Sequence, residues 1–273
     1  MQKREEFFII YYILYLLTFK FKDSKIFKNK EGVKMLIDTH VHGKPHSLCS
    51  QVPMLELPAL FKQKGFMAFM LTNHFYEYHL RWLGNTYSEQ VEEYIKAYNE
   101  VKKKGEEIGV KVFFGAEVRV TDIRIDENNN EVPFRPEFIL FGLTEEILRK
   151  SLPLYELTQK ELFCFANENN ILMSQAHPYR TAQEHRPANM KYTHAVELYN
   201  GHPNFPTRIE DTLLLAKENN LFVTAGSDLH VAYQCGKAGM RVPDFIENSV
   251  DLAEFIKNNK PKNLNDNKLI IEF

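Results

Sequence analysis

The sequence predicts an α/β fold in which about seven parallel strands, alternating with helices, form a closed or nearly closed barrel. Two observations carry this prediction. Short apolar runs alternate with longer amphipathic stretches, and the chain of 273 residues is long enough for one large α/β domain. An open sheet is the alternative, because the number of strands alone does not show that a sheet closes.

The predicted elements follow one another along the chain as strand and then helix. Apolar runs of strand length lie at 36–38, 67–71, 111–117, 138–141, 171–174, 195–199 and 221–224. Amphipathic stretches of helix length, several ending in Gly or Asn, lie at 56–64, 88–108, 156–169, 205–219 and 249–257. The polar stretch 126–131 is typical of a hairpin tip. This order predicts a parallel sheet with helical crossovers.

The composition is that of a soluble globular protein, with 44% hydrophobic and 26% charged residues. The net charge of −2 predicts no strong nonspecific binding to nucleic acid, but it allows a nucleotide substrate. The cysteines Cys49, Cys164 and Cys235 are too few for a disulfide framework and lack the close pairing of a zinc ribbon or redox motif. We therefore expect a cytoplasmic protein.

The first 34 residues are predicted to be an extension outside the fold. Residues 7–19 form an unbroken apolar run with basic residues on both sides, as in a membrane signal. The run is shorter than the ~18 to 20 residues that span a bilayer, and no small-residue cleavage site follows it. We expect the domain to begin at Met35 and to cover 35–256, followed by a C-terminal tail over 257–273 that is flexible up to residue 268 and ends in the apolar run 269–273. Membrane association is expected only if the apolar run acts as an anchor.

Histidines and acidic residues stand where the predicted strands end. His40 and His42 close the first strand, and their spacing places both imidazoles on one side of an extended chain. Other strand ends carry His74, Glu117, His177, and the pair Asp228 and His230. Because the carboxyl ends of parallel barrel strands share one face, these side chains are predicted to converge.

Taken singly, each of these residues is more often a capping, core or surface side chain than a ligand. Together they are five histidines and two acids at equivalent positions, and burying so many polar groups without an ion is costly. Imidazole and carboxylate ligands suit zinc, manganese or iron better than magnesium or calcium. The ligands outnumber one tetrahedral site, so at least two ions are predicted, with Glu117 as a candidate bridge.

In order and content, these motifs resemble those of the PHP (polymerase and histidinol phosphatase) superfamily, in particular its stand-alone bacterial phosphoesterases. The resemblance runs from Met35 to Gly239 and includes all the strand-end motifs. It implies a distorted (β/α)7 TIM-like barrel whose site holds two or three divalent metal ions.

The resemblance also implies how the ligands divide among the ions. The first ion takes His40, His42, Glu117 and Asp228. Glu117 bridges to a second ion on His177, and a third ion takes His74 and His230.

The sequence departs from the family pattern at three places. After the first histidine pair, His46 and Cys49 are further candidate ligands, at a spacing unlike that of the family. The strand 138–141 is apolar where many members carry a histidine, which puts full occupancy of the second site in doubt. Asn73 stands where an Asp is usual before His74, so a charge next to the ligands is missing.

Three basic residues are candidates for binding a substrate phosphate. Arg180, just after the His177 motif, is the first choice, and Lys44 and Arg119 follow it. Glu197 ends another strand and is interpreted as structural.

The predicted function is hydrolysis of a small phosphate ester, such as a phosphomonoester, a nucleotide or a histidinol-phosphate-like compound, by a metal-activated water. No nucleophilic side chain is required. A metal-dependent amidohydrolase is one alternative, since that class also opens its barrel with His-x-His, but the paired Asp228 and His230 count against it. A noncatalytic, metal-stabilised binding domain is another.

Overall fold

The structure, a computed structural model, describes residues 33–125, 128–180, 186–203 and 208–273. The strands in these ranges are β1 (Lys34–Val41), β2 (Ala68–Leu71), β3 (His74–Phe75), β4 (Lys111–Phe114), β5 (Glu117–Arg119), β6 (Asp122–Ile125), β7 (Glu131–Phe134), β8 (Glu137–Phe141), β9 (Leu172–Gln175), β10 (Ala195–Asn200), β11 (Phe222–Gly226), β12 (Gly239–Pro243), β13 (Asn263–Asn265) and β14 (Ile270–Glu272). The α-helices are α1 (Leu57–Gln63), α2 (Glu77–Leu80), α3 (Tyr87–Ile108), α4 (Glu145–Lys150), α5 (Gln159–Glu168), α6 (Ile209–Glu218) and α7 (Ser249–Asn258).

Most of the strands belong to two six-stranded sheets. The first has the order β13-β14-β12-β1-β2-β4 and the second the order β11-β10-β9-β8-β5-β3, while β6 and β7 form a separate pair. The chain continues from the first sheet into the second at β2 to β3 and again at β4 to β5. The end of β1 also contacts the segment after β11, because the His42 N–H donates to the Leu229 carbonyl at 3.1 Å. The ends of strands from both sheets therefore meet at one place.

Helix α3 begins and ends at residues that suit those positions. The Thr86 hydroxyl accepts a hydrogen bond from the Glu89 N–H, and the Glu89 carboxylate accepts one from Thr86 in return, which is a capping box. The helix ends at Gly109, whose φ of 75° is the left-handed conformation common at such ends. On its buried face, the Tyr94 hydroxyl lies 2.9 and 3.0 Å from the carbonyls of Asn73 and Gly115. This side chain holds the two crossings between the sheets side by side.

Strand β1 is buried on both faces, as expected for a strand in the interior of an α/β fold. Met35 and Ile37 pack in one apolar cluster, which also contains Tyr199. Val41 packs in the other, which includes Phe75 and lies against α3. Burial on both sides fixes the position of β1, and so of the residues at its end.

The predicted α/β class is confirmed, but an all-parallel sheet is wrong. Strand β8 runs antiparallel to both β5 and β9, and β12 runs antiparallel to β1. The ladders of the described residues form two sheets, so closure into a barrel stays a prediction. The hairpin is confirmed by the antiparallel pairing of β6 with β7.

The segment 257–273, predicted to be a tail outside the domain, instead contributes strands. Strand β14 pairs with both β12 and β13. Ile270, Ile271 and Phe273 are buried because they cover one of the apolar clusters. The prediction of a tail is therefore wrong for these residues.

The apolar run 7–19 and the rest of the predicted extension up to residue 32 lie outside the described residues. Among the helices that are described, none has the length and apolar character that a bilayer span requires.

Candidate metal centre

His40 and His42 lie side by side at the end of β1, as predicted. Their ring centroids are 4.9 Å apart, and both side chains are fully buried. The β1–β2 register shifts between Asp38 and Val41, an irregularity of the kind that redirects side chains at functional sites. Gly226 is required beside them, because a Cβ there would lie 2.4 Å from the His40 Cβ.

Glu117 is at the centre of the histidine cluster. Its Oε1 lies 3.1 Å from His40 Nε2 and 3.2 Å from His177 Nε2. Its Oε2 lies 2.6 Å from His74 Nδ1 and 3.5 Å from His42 Nε2. A carboxylate with both oxygens among four imidazoles is placed to bridge two ions.

Asp228 and His230 approach the same cluster from the segment after β11. The Asp228 Oδ1 lies 3.5 Å from His40 Nε2 and 3.4 Å from His42 Nε2. It also lies 3.4 Å from His230 Nδ1, and the rings of His42 and His230 are 4.6 Å apart. Asp228 has a φ of 52°, a left-handed conformation that is uncommon outside glycine and recurs at functional sites.

The side chains form several groups whose candidate ligand atoms all lie within 4.8 Å of one another. Three of the groups contain only residues predicted as ligands, and these are His40–His42–Asp228, His40–Glu117–His177 and His42–His74–His230. Two more groups bring in further residues, and these are His74–Glu117–Glu137 and Cys49–His74–His79. All seven predicted ligands are therefore brought together, while metal binding by each of them stays a prediction.

The donor atoms themselves fit divalent ions. Four buried atoms of this cluster make close polar contacts with other candidate ligands, and these are His40 Nε2, His42 Nε2, His74 Nδ1 and Glu117 Oε2. Burying so many ionisable groups together is costly, so such clusters are rare without a function. A mixed nitrogen and oxygen donor set is one that zinc, manganese or iron accepts.

The electrostatics of the cluster are those of tightly packed opposite charges. Burial alone lowers the pKa of His40, but the carboxylates of Glu197 and Glu117 outweigh it and raise the pKa to about 10. Burial raises the pKa of Glu117, yet the neighbouring His40 and His74 hold it well below its usual value. For His42, burial and the nearby His74 and His230 lower the pKa well below the ordinary value. Glu117 is therefore ionised and His42 neutral, the forms in which both bind metals, while His40 holds a proton that it must release to bind one.

Glu197 has a position that its interpretation as a merely structural residue did not anticipate. Its Oε1 lies 2.9 Å from His40 Nδ1, and its Oε2 accepts hydrogen bonds from the His177 N–H at 3.0 Å and the Asn200 amide at 2.8 Å. A carboxylate on the far nitrogen of a histidine fixes the ring and its tautomer for binding through the other nitrogen.

Asn73 organises the neighbouring side of the site without a charge. Its Oδ1 accepts hydrogen bonds from the Gly43 N–H at 2.8 Å and the Ser47 hydroxyl at 3.0 Å. The Ser47 hydroxyl lies 3.0 Å from His42 Nδ1. Neutral hydrogen bonds that run from Asn73 through Ser47 thus orient His42. In the family pattern, an acid is expected at the position of Asn73.

The additional candidate ligands lie in different places. Cys49 Sγ is 3.1 Å from His74 Nε2. Burial raises the pKa of the Cys49 thiol, but hydrogen bonds with His230 and His74 lower it to about 6. His46 belongs to none of the ligand groups, and its ring lies 6.0 Å from that of Tyr94.

The predicted phosphate-binding residues are also spread out. Arg180 forms an ion pair with Asp228 at the cluster. Arg119 pairs with Glu137 through its Nη2 at 2.6 Å and stacks over the Tyr76 ring at 4.1 Å. Lys44 is exposed, and its backbone pairs with Val52. Of the three, Arg180 is the one in direct contact with a predicted ligand.

Sequence reasoning missed Glu137 and His79. Glu137 Oε2 lies 3.5 Å from His177 Nε2. His79 lies in the short helix α2, with its ring 4.7 Å from that of His74. An acidic residue directly before the apolar run 138–141 is the signal that could have identified Glu137.

Several solved structures are similar to this chain. A two-domain protein from Bacteroides vulgatus containing a predicted PHP-like metal-dependent phosphoesterase shares 19% identity and a TM-score of 0.49, over 74% of this chain and 54% of that one. This chain thus spans about half of that protein. A lesion-specific endonuclease from Pyrococcus furiosus shares 16% identity and a TM-score of 0.52, over 84% of this chain and 57% of that one. An amidohydrolase from Chromobacterium violaceum shares 11% identity and a TM-score of 0.50, over 81% of this chain and 96% of that one.

At these identities the likeness concerns the fold alone. None of the curated proteins matches the sequence significantly. The model of the PHP domain matches residues 38–233, most of the chain and every predicted ligand. The chain therefore belongs to the PHP domain family, whose members include metal-dependent phosphoesterases.

Proposed function

We propose that this protein is a metal-dependent phosphoesterase that hydrolyses a small phosphate ester. The observation that carries the proposal is the set of buried donor atoms on His40, His42, His74 and Glu117, which face one another within 3.5 Å of the Glu117 carboxylate at the meeting point of the two sheets. We take the ions to be zinc, manganese or iron, two or three in number.

The groups of ligands support one assignment for each ion. A first ion would be held by His40, His42 and Asp228 together with Glu117, and Glu117 would also serve a second ion with His177. A third ion would be held by His74 and His230, with His42 beside them. Ions held in this way would acidify water and neutralise charge on phosphoryl oxygens.

The protein's own side chains perform the remaining tasks. Arg180 is placed to bind a phosphate oxygen, since its guanidinium lies at the cluster next to Asp228 and offers several planar donors. Glu197 keeps His40 aligned. The three cysteines are free in the structure, which is compatible with a reducing compartment.

The test is a screen of phosphomonoesters and dinucleotides with zinc, manganese and iron, run alongside amide and lactone substrates. We expect phosphoester hydrolysis that depends on added metal and is lost in His42→Ala and Asp228→Ala. Glu247→Gln, which changes an exposed carboxylate paired with Lys111, is the matched control and should keep activity. Hydrolysis of amides or lactones alone would identify an amidohydrolase, and folded, metal-loaded protein inactive on every substrate would identify a binding domain.

A further inference from the structure

Two exposed aromatic residues and an arginine lie together beside the metal centre, on α2 and the residues that follow it. Tyr78 is 55% exposed and Trp82 is 67% exposed. The Arg81 guanidinium lies 4.6 Å from the centre of the Tyr78 ring and 5.0 Å from that of Trp82. We call this group, Tyr78, Arg81 and Trp82, the aromatic rim.

Contacts between rings connect the aromatic rim to the metal centre. The His74 ring lies 4.7 Å from the His79 ring, which lies 5.4 Å from the Tyr78 ring. The Tyr76 ring lies 4.7 Å from the His79 ring, and the Arg119 guanidinium lies over the Tyr76 ring, 4.1 Å from its centre. The rim is therefore the outer end of a series of tilted and edge-to-face ring contacts that begins at a predicted metal ligand.

The backbone that carries the aromatic rim is anchored to the protein core. Phe75, just before α2, and Leu80, its last residue, are both buried in the core. The Leu48 N–H donates to His79 Nδ1 at 3.1 Å, which ties α2 to the segment after β1. A rim on an anchored segment presents its flat surfaces in advance, so little ordering is needed when a ligand binds.

Single exposed apolar residues are ordinary on protein surfaces and need no ligand to explain them. Two aromatic rings with an arginine between them are a different case, since aromatic faces and guanidinium planes both stack on nucleobases. The positive charge of Arg81 also suits a ligand that carries phosphate.

We propose that the aromatic rim stacks on the nucleobase of the substrate, so that the phosphoester is that of a nucleotide, free or at the end of a short strand. This inference rests on the proposed function and gives its substrate class. The phosphate lies at the metal centre with Arg180, and the base lies outward against Trp82 and Tyr78. A phosphoester without a ring gains nothing from this surface.

Trp82 is the only tryptophan of the chain, so tryptophan fluorescence reports directly on the aromatic rim. The full-length, metal-loaded protein is titrated with adenosine, adenosine monophosphate and ribose 5-phosphate. We expect adenosine and adenosine monophosphate to quench the fluorescence, the latter at lower concentration, and ribose 5-phosphate to leave it unchanged.

Kinetics provide the second measurement. Trp82→Ala should raise the KM for adenosine monophosphate about tenfold, the size expected from loss of one stacked base, and leave the KM for ribose 5-phosphate unchanged. Trp82→Phe should recover most of the loss. Leu214→Ala, which truncates an exposed residue on α6, is the control and should change neither KM. A larger Trp82 effect with a dinucleotide would assign the rim to the end of a strand, and an equal effect to a free nucleotide.

The outcomes separate this inference from the proposed function. Hydrolysis of ribose 5-phosphate and adenosine monophosphate with equal KM, with no effect of Trp82→Ala and no quenching, would overturn the stacking role and leave the phosphoesterase intact. Quenching by adenosine and adenosine monophosphate in a protein that hydrolyses no phosphoester would support the rim and reject the enzyme.

Discussion

Strand β10 lies beside two histidines whose surroundings differ. At the amino end, His194 is half-buried and both ring nitrogens have partners, since Nδ1 accepts from the Met173 N–H at 3.1 Å and Nε2 lies 3.1 Å from Asn167 Oδ1. Along the strand, Glu197 binds one nitrogen of His40, and the other nitrogen faces the ligand cluster, 3.1 Å from Glu117 Oε1. A histidine whose nitrogens both pair with backbone or amide groups is structural, while one aligned by a carboxylate toward other candidate ligands is prepared for an ion.

The largest expected effect is in the ligand cluster that His40 faces, where Glu117→Gln removes the central charge. Because Glu117 lies within 3.5 Å of four imidazoles, we expect metal affinity to fall by more than about 100-fold, beyond the usual cost of changing a residue that only supports a ligand. Calorimetric titration of metal-free protein measures this. Affinity equal to that of the exposed control Glu247→Gln would show that Glu117 is not a ligand.

Metal binding should also stabilise the fold, because the donor atoms are assembled only in the folded chain. Metal at 100 times its Kd should add about 2.7 kcal/mol to the free energy of unfolding and raise Tm by roughly 5 to 10 °C. A chelator should reverse the rise in a thermal melt. In His42→Ala the rise should be largely lost, and a full rise there would place the ion elsewhere.

Glu197→Gln sharpens the comparison by weakening the support of His40 while leaving every predicted ligand present. We expect metal affinity to fall about tenfold to 100-fold, since the amide no longer holds the imidazole as a carboxylate does. The far-ultraviolet spectrum and the melt of the metal-free protein should stay close to those of the parent. Unchanged metal affinity would return Glu197 to a purely structural role.

The smallest effect is at the amino end, where His194 should act on stability alone. Burial, with Lys257 nearby, lowers the pKa of His194 to about 4. Between about pH 4 and the ordinary value of 6.5, the unfolded chain therefore binds more protons than the folded one. The contribution of His194 is thus complete above pH 6.5 and decreases as pH falls toward 4, by on the order of 1 kcal/mol after allowance for its partial exposure.

The variant His194→Asn tests this, because its side chain keeps an acceptor for the Met173 N–H but does not titrate. Comparing variant with parent at each pH cancels the other titrating groups. Urea unfolding should show a smaller loss of stability for the variant between pH 6.5 and 4, while its metal affinity stays that of the parent. Equal losses in both proteins would contradict the assigned pKa.

The sequence predicted the site well where strands run in the expected direction. His40 stands at the carboxyl end of β1 and Asp228 just after β11. His74 and Glu117 begin the short strands β3 and β5, which follow β2 and β4, and the structure brings all four residues together. Glu137 was missed because β8 is antiparallel to its neighbours, so its amino end, not its carboxyl end, faces the cluster. A search confined to carboxyl ends cannot find such a residue.

Other parts of the fold depended on contacts that local patterns do not record. The pairing of β14 with β12 joins segments about 30 residues apart, as Gly239 with Ile270 shows, and a short polar stretch before it resembled a tail. The aromatic rim was likewise not predicted, because nothing in the sequence distinguishes Tyr78 and Trp82 from other apolar residues near a histidine.

The left-handed backbone at Asp228 and His177 lowers the stability of the fold, and in return it orients two predicted metal ligands. With φ of 52° and 32°, both residues adopt conformations that cost L-amino acids about 1 kcal/mol or more, and glycine nothing. Asp228→Gly should therefore unfold at a higher temperature than Asp228→Ala, and both variants should be equally inactive. Selection for stability alone would replace Asp228 and His177 early, and selection for activity is what would retain them.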